Sequence, residues 1–368
     1  MSTVRAAVLH ECPGWLDVGD IQVDGPARNE VLVRTAAAGL CHSDLHWMEG
    51  KYTPELPLVV GHESAGVVED VGADVTYVKP GDHVITCLSA FCGECDFCVT
   101  GRPHLCRSAS VRRAHGTGPR LSQAGKMVHQ LGQLGSFSEA MLVHERALVR
   151  IDPAMPLDRA ALIGCSTITG VGAVFNTAKV APGSTVAVVG CGGVGLNVIQ
   201  GAILAGASRV ICIDLRESKL KMARHFGATD TVDASQVDAV DAVIDLTGGG
   251  VDYSFEAIGL KVTAEQAFGM LARGGTATVI GLIPQGEQIS LPGNELWMGE
   301  KHLQGSTMGS NRFRYDIPRL IDLYLQGRLK LDELVSARIT LDQVNDGFQA
   351  LQNGEVVGRS LVEFPSVA

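Results

Sequence analysis

The stretch Ser184–Asp214, STVAVVGCGGVGLNVIQGAILAGASRVICID, decides how this chain is read. It opens with Val186-Ala-Val-Val189, the β-branched run expected of a buried strand. The turn Gly190-Cys-Gly192-Gly193-Val194-Gly195 follows and fits G-x-G-x-x-G. Val194, Val198, Ile199, Ala202 and Ile203 then recur at helical spacing, which predicts a helix to Ala205. A second apolar run, Val210–Ile213, ends on Asp214. Each part has a physical role in holding a dinucleotide. Gly190 permits a tight turn, Gly192 lets backbone approach a pyrophosphate, and Gly195 lets helix and strand pack closely. The helix start adds unpaired N–H groups and a positive dipole end for the phosphates. Asp214 suits the ribose hydroxyls of NAD and repels the extra phosphate of NADP. A glycine-rich turn alone says little; the strand before it, the helix after it and the acid beyond make this one a cofactor site.

A chain of 368 residues is too long for one ordinary core, so two domains are expected. Hydrophobic residues at 46% and charged residues at 19% describe a globular protein rather than a disordered one. A formal charge of −10 argues against a nucleic-acid partner, whose phosphates need a basic surface. No apolar run reaches the length of a bilayer span, and MSTVRAAVLHE lacks the apolar core of a signal peptide. The expectation is a cytoplasmic protein without a membrane partner. Ten cysteines in a reducing compartment point to metal before disulfides.

Taken in order, the first part reads as strands, Val4–Leu9 and Glu30–Thr35, with Gly and Pro turns between them. Helical patterning is scarce until about residue 158, so this is a mostly β domain. Cys92, Cys95 and Cys98, closed by Cys106 after seven intervening residues, fit a tetrahedral four-thiolate structural zinc. The competing readings are clustered reduced thiols or a redox pair. The next segment, to Ser136, is irregular and basic, with Arg107, Arg112, Arg113, His115, Arg120 and Lys126. It reads as a solvated loop, or as a substrate rim favouring anionic groups. Asp158 reads as the N-cap of a helix that delivers Cys165, and Thr167–Phe175 as a helix leading into the cofactor domain. Strands and helices then alternate to Leu282, the pattern of a parallel sheet covered on both faces. The tail beyond Gly309 is α+β and is expected to rejoin the first domain.

Gly39-Leu-Cys41-His42-Ser43-Asp44, Gly61-His62-Glu63, the four-cysteine lobe, Gly164-Cys165 and the glycine turn before Asp214 together resemble the zinc-dependent alcohol dehydrogenases of the medium-chain dehydrogenase/reductase superfamily. The likeness spans essentially the whole chain. It implies an α/β architecture: a doubly wound, parallel-sheet Rossmann cofactor domain (167–306) inserted into a mostly β, GroES-like catalytic domain (1–166 and 307–368). It also implies that Cys41, His62 and Cys165 hold a catalytic zinc, giving two zinc ions per chain with NAD as cosubstrate. Asp44 would orient His62, Glu63 would lie behind the metal, and Ser43 and His46 would carry the alcohol proton outward. The competing reading of His46 is a plain surface histidine.

The same resemblance assigns His42, Thr169, Lys219 and Arg359 to NAD, alongside the glycine turn and Asp214. His42 and Leu260 stand where many relatives carry arginine, which puts the tightness of NAD binding in question. Trp47, Tyr52, Leu88, Leu131 and Leu282 would line an apolar substrate pocket, or serve as plain core. Cys12, Cys87, Cys191 and Cys212 read as small buried hydrophobes. The implied reaction is hydride transfer between a primary or secondary alcohol and NAD. A thiol-dependent formaldehyde dehydrogenase and an enzyme with permanently bound NAD share the same motifs. A non-catalytic NAD-binding protein is the alternative from another class. Family members form homodimers or homotetramers, and the strand Thr276–Leu282 is the pairing edge suggested by analogy.

Overall fold

The computed structural model describes residues 1–113 and 117–365, so His115 of the basic loop lies outside the described residues. The chain divides into two compact units, Met1–Cys165 with Arg312–Ala368, and Ser166–Asn311.

The first unit is organised by strands. Ser2–Leu9, Leu16–Val23, Leu121–Gln123, Lys126–Gln130 and Leu58–Val59 close into a small barrel. Val4, Ala6 and Val8 alternate along the first of these strands and pack with Ile21, Val23, Leu121 and Val128, the two-residue period of a half-buried strand. A seven-stranded sheet lies in the same unit. Its order is Leu148–Arg150, His83–Thr86, Ser64–Val71, Glu30–Gly39, Arg359–Glu363 and Val335–Ile339, with Ala140–His144 also paired to Glu30–Gly39. The pairing of Leu361 with Gly39 brings the tail back beside the segment that enters Cys41.

Two arginines of the basic loop point inward. The Arg120 Nε donates to Glu30 Oε1 at 2.6 Å with both side chains buried, and Arg113 Nη2 donates to Asp24 Oδ2 at 2.7 Å. Arg107, Arg112 and Lys126 stay exposed. The loop is therefore clipped to the barrel by part of its charge.

The second unit carries a six-stranded, all-parallel sheet. Its order is Asp230–Asp233, Arg209–Asp214, Thr185–Val189, Val251–Glu256, Leu271–Val279 and His302–Gly305. Numbered along the chain this is 3-2-1-4-5-6, the doubly wound Rossmann order. Ala187, Val189, Ile211 and Ile213 pack on one face against Val243, Ala267 and Phe268 of the helices Ala239–Thr247 and Lys261–Gly269. Val188 points the other way, towards Gly195 of the helix Gly193–Leu204. Both faces are covered, as the apolar runs require.

The structure departs from the sequence reading in four places. Pro156, not Asp158, occupies the N-cap of the helix Leu157–Leu162; Asp158 sits in its first turn and pairs with Arg159 and Arg338. A short helix, His42–Met48, interrupts the β region. The strand Leu271–Val279 is interior, because His302–Gly305 pairs outside it and forms the sheet edge. Finally, the helical run Leu157–Ala178 is long and apolar enough to cross a bilayer by length and composition, but 83% of its most apolar window is buried within the fold.

Replacing Arg120 by Met takes from the buried Glu30 carboxylate its shortest ion pair and leaves it Arg113 at 3.6 Å and the Ala27 N–H. Removing one partner of a buried pair costs about 3 kcal/mol, which lowers the melting temperature of a unit this size by about 6–12 °C. An unchanged calorimetric midpoint would remove the clip from the account.

Candidate active site

The first cluster forms around one carboxylate. Asp44 sits at the third position of the helix His42–Met48 and is fully buried. Its Oδ2 accepts the Cys41 N–H at 3.2 Å, and its Oδ1 accepts from the Gly61 N–H at 3.0 Å and His62 Nδ1 at 2.9 Å. That fixes the imidazole with Nε2 turned to Cys165, whose Sγ lies 3.2 Å away. Cys165 is presented by a π-helical turn, Ile163–Thr167. The donor atoms of Cys41, His62 and Cys165 all lie within 4.8 Å of one another, and all three residues are buried.

Two thiolates at 2.3 Å and one imidazole at 2.0–2.1 Å from a tetrahedral zinc would stand about 3.5–3.8 Å apart. The donor set fits such an ion, and three protein ligands leave a fourth position for substrate. Arg359 is buried beside it, with Nη2 3.6 Å from Cys41 Sγ and Nε 3.4 Å from Glu63 Oε2. Burial alone would weaken the guanidinium's hold on its proton, but Glu63 and the thiols of Cys41 and Cys165 outweigh it and the pKa rises. The Cys41 thiol moves well down, chiefly through its hydrogen bond with Cys165 and then through Arg359 and His62. Cys165 moves the opposite way, well up, through the same hydrogen bond with Cys41 and through burial.

The second cluster is the lobe Cys92–Cys106. Its sulfurs are 3.5 Å (Cys95–Cys98), 3.6 Å (Cys92–Cys106) and 3.8 Å (Cys92–Cys98 and Cys95–Cys106) apart. The edge of a zinc–thiolate tetrahedron is about 3.8 Å, so four sulfurs already stand near the corners of one. Backbone N–H groups of Glu94 and Cys95 hold the Cys92 thiol down at about 6, while burial pushes Cys98 up to about 12. All ten cysteines are free of disulfides.

In the second unit, the glycine turn is built as a cradle. Gly190 has φ +95°, and a side chain there would meet Ile258 at 2.5 Å; a Cβ on Gly195 would lie 1.8 Å from the Gly190 carbonyl oxygen. At Gly192, the N-cap of the helix Gly193–Leu204, a Cβ would meet nothing within 4 Å. The space is open where a pyrophosphate needs it, and no side chain caps the helix start. Asp214 is tied into the turn: it accepts the Cys191 N–H at 2.9 Å, and those of Leu215 and Arg216 at 2.8 and 3.2 Å. The residues fit a dinucleotide.

Other predicted residues fall as follows. Ser43 Oγ is 3.7 Å from Cys41 Sγ. His46 is 8% exposed, which overturns the surface reading; its Nδ1 has no hydrogen-bond partner among the described residues. Burial, then Lys51, lowers its pKa, so it is neutral at pH 7. Trp47 packs on Tyr52 with ring centroids 5.3 Å apart. Leu88 lies against Gly132 of the turn Leu131–Gln133, and both Leu88 and Leu131 also pack on core clusters. His42 is exposed. In the second unit, Thr169 bonds Met308 Sδ at 3.6 Å, Lys219 lies in the helix that follows Asp214, and Leu282 is 37% exposed. Cys87, Cys191 and Cys212 are buried as expected, whereas Cys12 is half-buried and bonds the Trp47 carbonyl.

Two residues were not foreseen in these roles. Arg359, assigned from sequence to a phosphate, contacts a metal-donor thiol. Glu256 is buried and accepts from Ile258 N–H, Gly259 N–H and Thr263 Oγ1, fixing the loop that meets Gly190. A glutamate ending an apolar strand was the available signal.

Known proteins agree with this geometry. Residues 27–153 match the alcohol dehydrogenase GroES-like domain, and residues 193–326 match the zinc-binding dehydrogenase domain. An alcohol dehydrogenase class-3 of Zea mays is 41% identical over 364 residues, 96% of this chain and 94% of that protein. An NDMA-dependent alcohol dehydrogenase of Amycolatopsis methanolica is 39% identical over 95% of this chain and 96% of its own. The crystal structure of a benzyl alcohol dehydrogenase from Acinetobacter calcoaceticus superposes with a TM-score of 0.92 at 31% identity, covering 99% of this chain and all of that one. The chain belongs to the zinc-dependent alcohol dehydrogenases of the medium-chain dehydrogenase/reductase superfamily. It is an oxidoreductase that uses zinc and NAD.

Asp44→Asn keeps the shape of this side chain but gives one corner a donor that repels a facing N–H. Zinc affinity of the Cys41/His62/Cys165 site should fall about 10–100-fold in a chelator competition; wild-type affinity would show that Asp44 does not orient His62.

Proposed function

We propose that this chain oxidises a primary or secondary alcohol with an apolar tail, or reduces the matching carbonyl, at a zinc held by Cys41, His62 and Cys165. The observation that carries the reading is the buried three-donor set, with His62 aimed by Asp44. When bound, zinc supplies a Lewis acid that lowers the pKa of an alcohol hydroxyl, and NAD supplies the hydride acceptor. The chain's own residues do the rest. Asp44 holds His62 in the tautomer that leaves Nε2 available. Glu63 and Arg359 form a buried ion pair behind Cys41 and balance the charge of the thiolates. Ser43 receives the alcohol proton, and His46, neutral and with Nδ1 unengaged, passes it on. Asp214, the glycine turn, Thr169 and Lys219 hold the nucleotide. Cys92, Cys95, Cys98 and Cys106 hold a second, structural zinc with no open position.

Among the described residues the basic loop offers an anionic thiol adduct only the exposed Arg107, Arg112 and Lys126. Arg113 and Arg120, two of its cations, are committed to Asp24 and Glu30. Trp47, Tyr52, Leu88 and Leu131 supply apolar lining from the first unit. A protein that only bound NAD would have no use for a buried three-donor metal set. We place the enzyme in the cytoplasm, in keeping with ten unbridged cysteines. It acts as a homodimer or homotetramer; the sheet edge His302–Gly305 and the exposed Leu296, Trp297 and Met298 just before it are the surface best suited to a second copy.

The test is NADH formation from NAD and alcohols of rising length and bulk, alongside formaldehyde with and without a small thiol. Turnover rising with longer or aromatic alcohols is expected, and Cys165→Ala should fold normally but lose it. Substantial oxidation by that variant would sink the zinc assignment, and activity confined to formaldehyde plus thiol would move the substrate. Absorbance of nucleotide in the purified protein separates bound NAD from exchanging NAD. Asp214→Gly should narrow the preference for NAD over NADP, since the carboxylate that repels the extra phosphate is gone; an unchanged ratio of kcat/KM values would refute the placing of the ribose.

A further inference from the structure

The lobe that carries four cysteines is held to its unit by a cation. Arg146 belongs to the short 3₁₀ turn Glu145–Ala147, whose start is fixed because the Arg146 N–H donates to His144 Nδ1 at 3.0 Å. The turn is also anchored at its end, where the Ala147 carbonyl accepts the Cys87 N–H at 2.8 Å. From there the guanidinium reaches the lobe, and Nη1 donates to the carbonyl of Cys92. A second observation shows how closely it is seated. Gly93 has φ +84°, and a Cβ at that position would lie 2.6 Å from Arg146 Nη1. The guanidinium thus occupies the space a side chain at residue 93 would need. Phe91, the residue before Cys92, packs against the cations of Arg146 and Arg314 at 5.8 and 5.5 Å from its ring centroid.

The charge of Arg146 is otherwise unspent. Arg314 gives its donors to the carbonyls of Leu148 and Glu145 and stacks on Tyr77 at 3.6 Å. Arg146, half-buried, has no carboxylate partner among the described residues. A zinc ion with four thiolates carries a net charge of about −2. An unpaired, partly desolvated cation beside such a group is worth more than one in water, and outer partners of a metal site govern how firmly it is held.

We propose that Arg146 is a positioning residue for the structural metal: it fixes the Cys92 end of the lobe and offsets the charge of the four-thiolate site, so it sets how long the zinc is retained. The inference rests on the reading of Cys92, Cys95, Cys98 and Cys106 as zinc ligands. It predicts that retention depends on the charge at position 146 as well as on the hydrogen bond.

The experiment follows zinc release from the intact holoenzyme into excess chelator, read by an indicator dye at low and high salt. The lobe ion is identified as the one missing from Cys98→Ser. Three variants divide the causes: Arg146→Lys keeps charge and a donor, Arg146→Gln keeps a donor only, and Arg146→Met keeps neither. Lobe zinc should leave Arg146→Met and Arg146→Gln about 10-fold faster or more, with Arg146→Lys close to wild type and the difference shrinking in high salt. Freshly loaded kcat should be unchanged in all three. Wild-type release from Arg146→Met would overturn the proposal, and slow release from Arg146→Gln would overturn its electrostatic part. A wild-type protein without zinc in the lobe would instead overturn the metal reading beneath it, and that shows before any variant is made.

Discussion

A single buried carboxylate, Asp44, holds the chemistry of the first unit together. It accepts three N–H groups, from Cys41, Gly61 and His62, and so fixes two metal-donor segments that lie about twenty residues apart in sequence. Without it, the helix start at Cys41 and the turn at Gly61 would each leave a buried donor unpaired, a cost of about 1–3 kcal/mol apiece. The carboxylate therefore serves the fold as much as the reaction. It completes a capping arrangement for the helix, and the same geometry selects the imidazole tautomer that a metal requires.

The second unit repeats the device with other acids. Asp214 gathers the N–H groups of Cys191, Leu215 and Arg216, and so joins the glycine turn to the end of the neighbouring strand. Glu256 does likewise at the end of the strand Val251–Glu256, accepting the Ile258 and Gly259 N–H groups and the Thr263 hydroxyl. Irregular backbone at the carboxyl ends of parallel strands is where a doubly wound sheet binds its ligand. Such backbone lacks sheet partners, and a carboxylate with several lone pairs supplies them at one point. The metal lobe is held by the opposite sign: there the backbone offers a carbonyl, and Arg146 answers it.

Much of this was legible before any coordinates. The Ser184–Asp214 stretch announces its strand, turn, helix and strand because local periodicity and the glycine spacing agree, and the structure has all four. The four-cysteine lobe was equally plain, since its ligands lie within fifteen residues. Cys41, His62 and Cys165 were not legible from spacing: more than a hundred residues separate the last two, and only resemblance joined them. The helix His42–Met48 went unread because seven residues give too little periodicity, although Cys41 and Asp44 stand at capping distance. Asp158 was misplaced as a cap because Pro156 already sets the entry to that helix. The sheet edge was misjudged because His302–Gly305 is four residues long, with no alternation to betray it. Which arginines of the basic loop turn inward depends on partners some ninety residues earlier, a distance no local pattern spans.

Zinc K-edge X-ray absorption of the purified holoenzyme tests the central claim most directly, because it reads the ligands of both proposed ions at once. Two zincs per chain, one with four sulfurs and one with two sulfurs and an imidazole, predict an average of about three sulfurs per zinc together with imidazole scattering. A shell of four sulfurs without imidazole would mean that only the lobe holds metal, and the assignment of Cys41, His62 and Cys165 would fall.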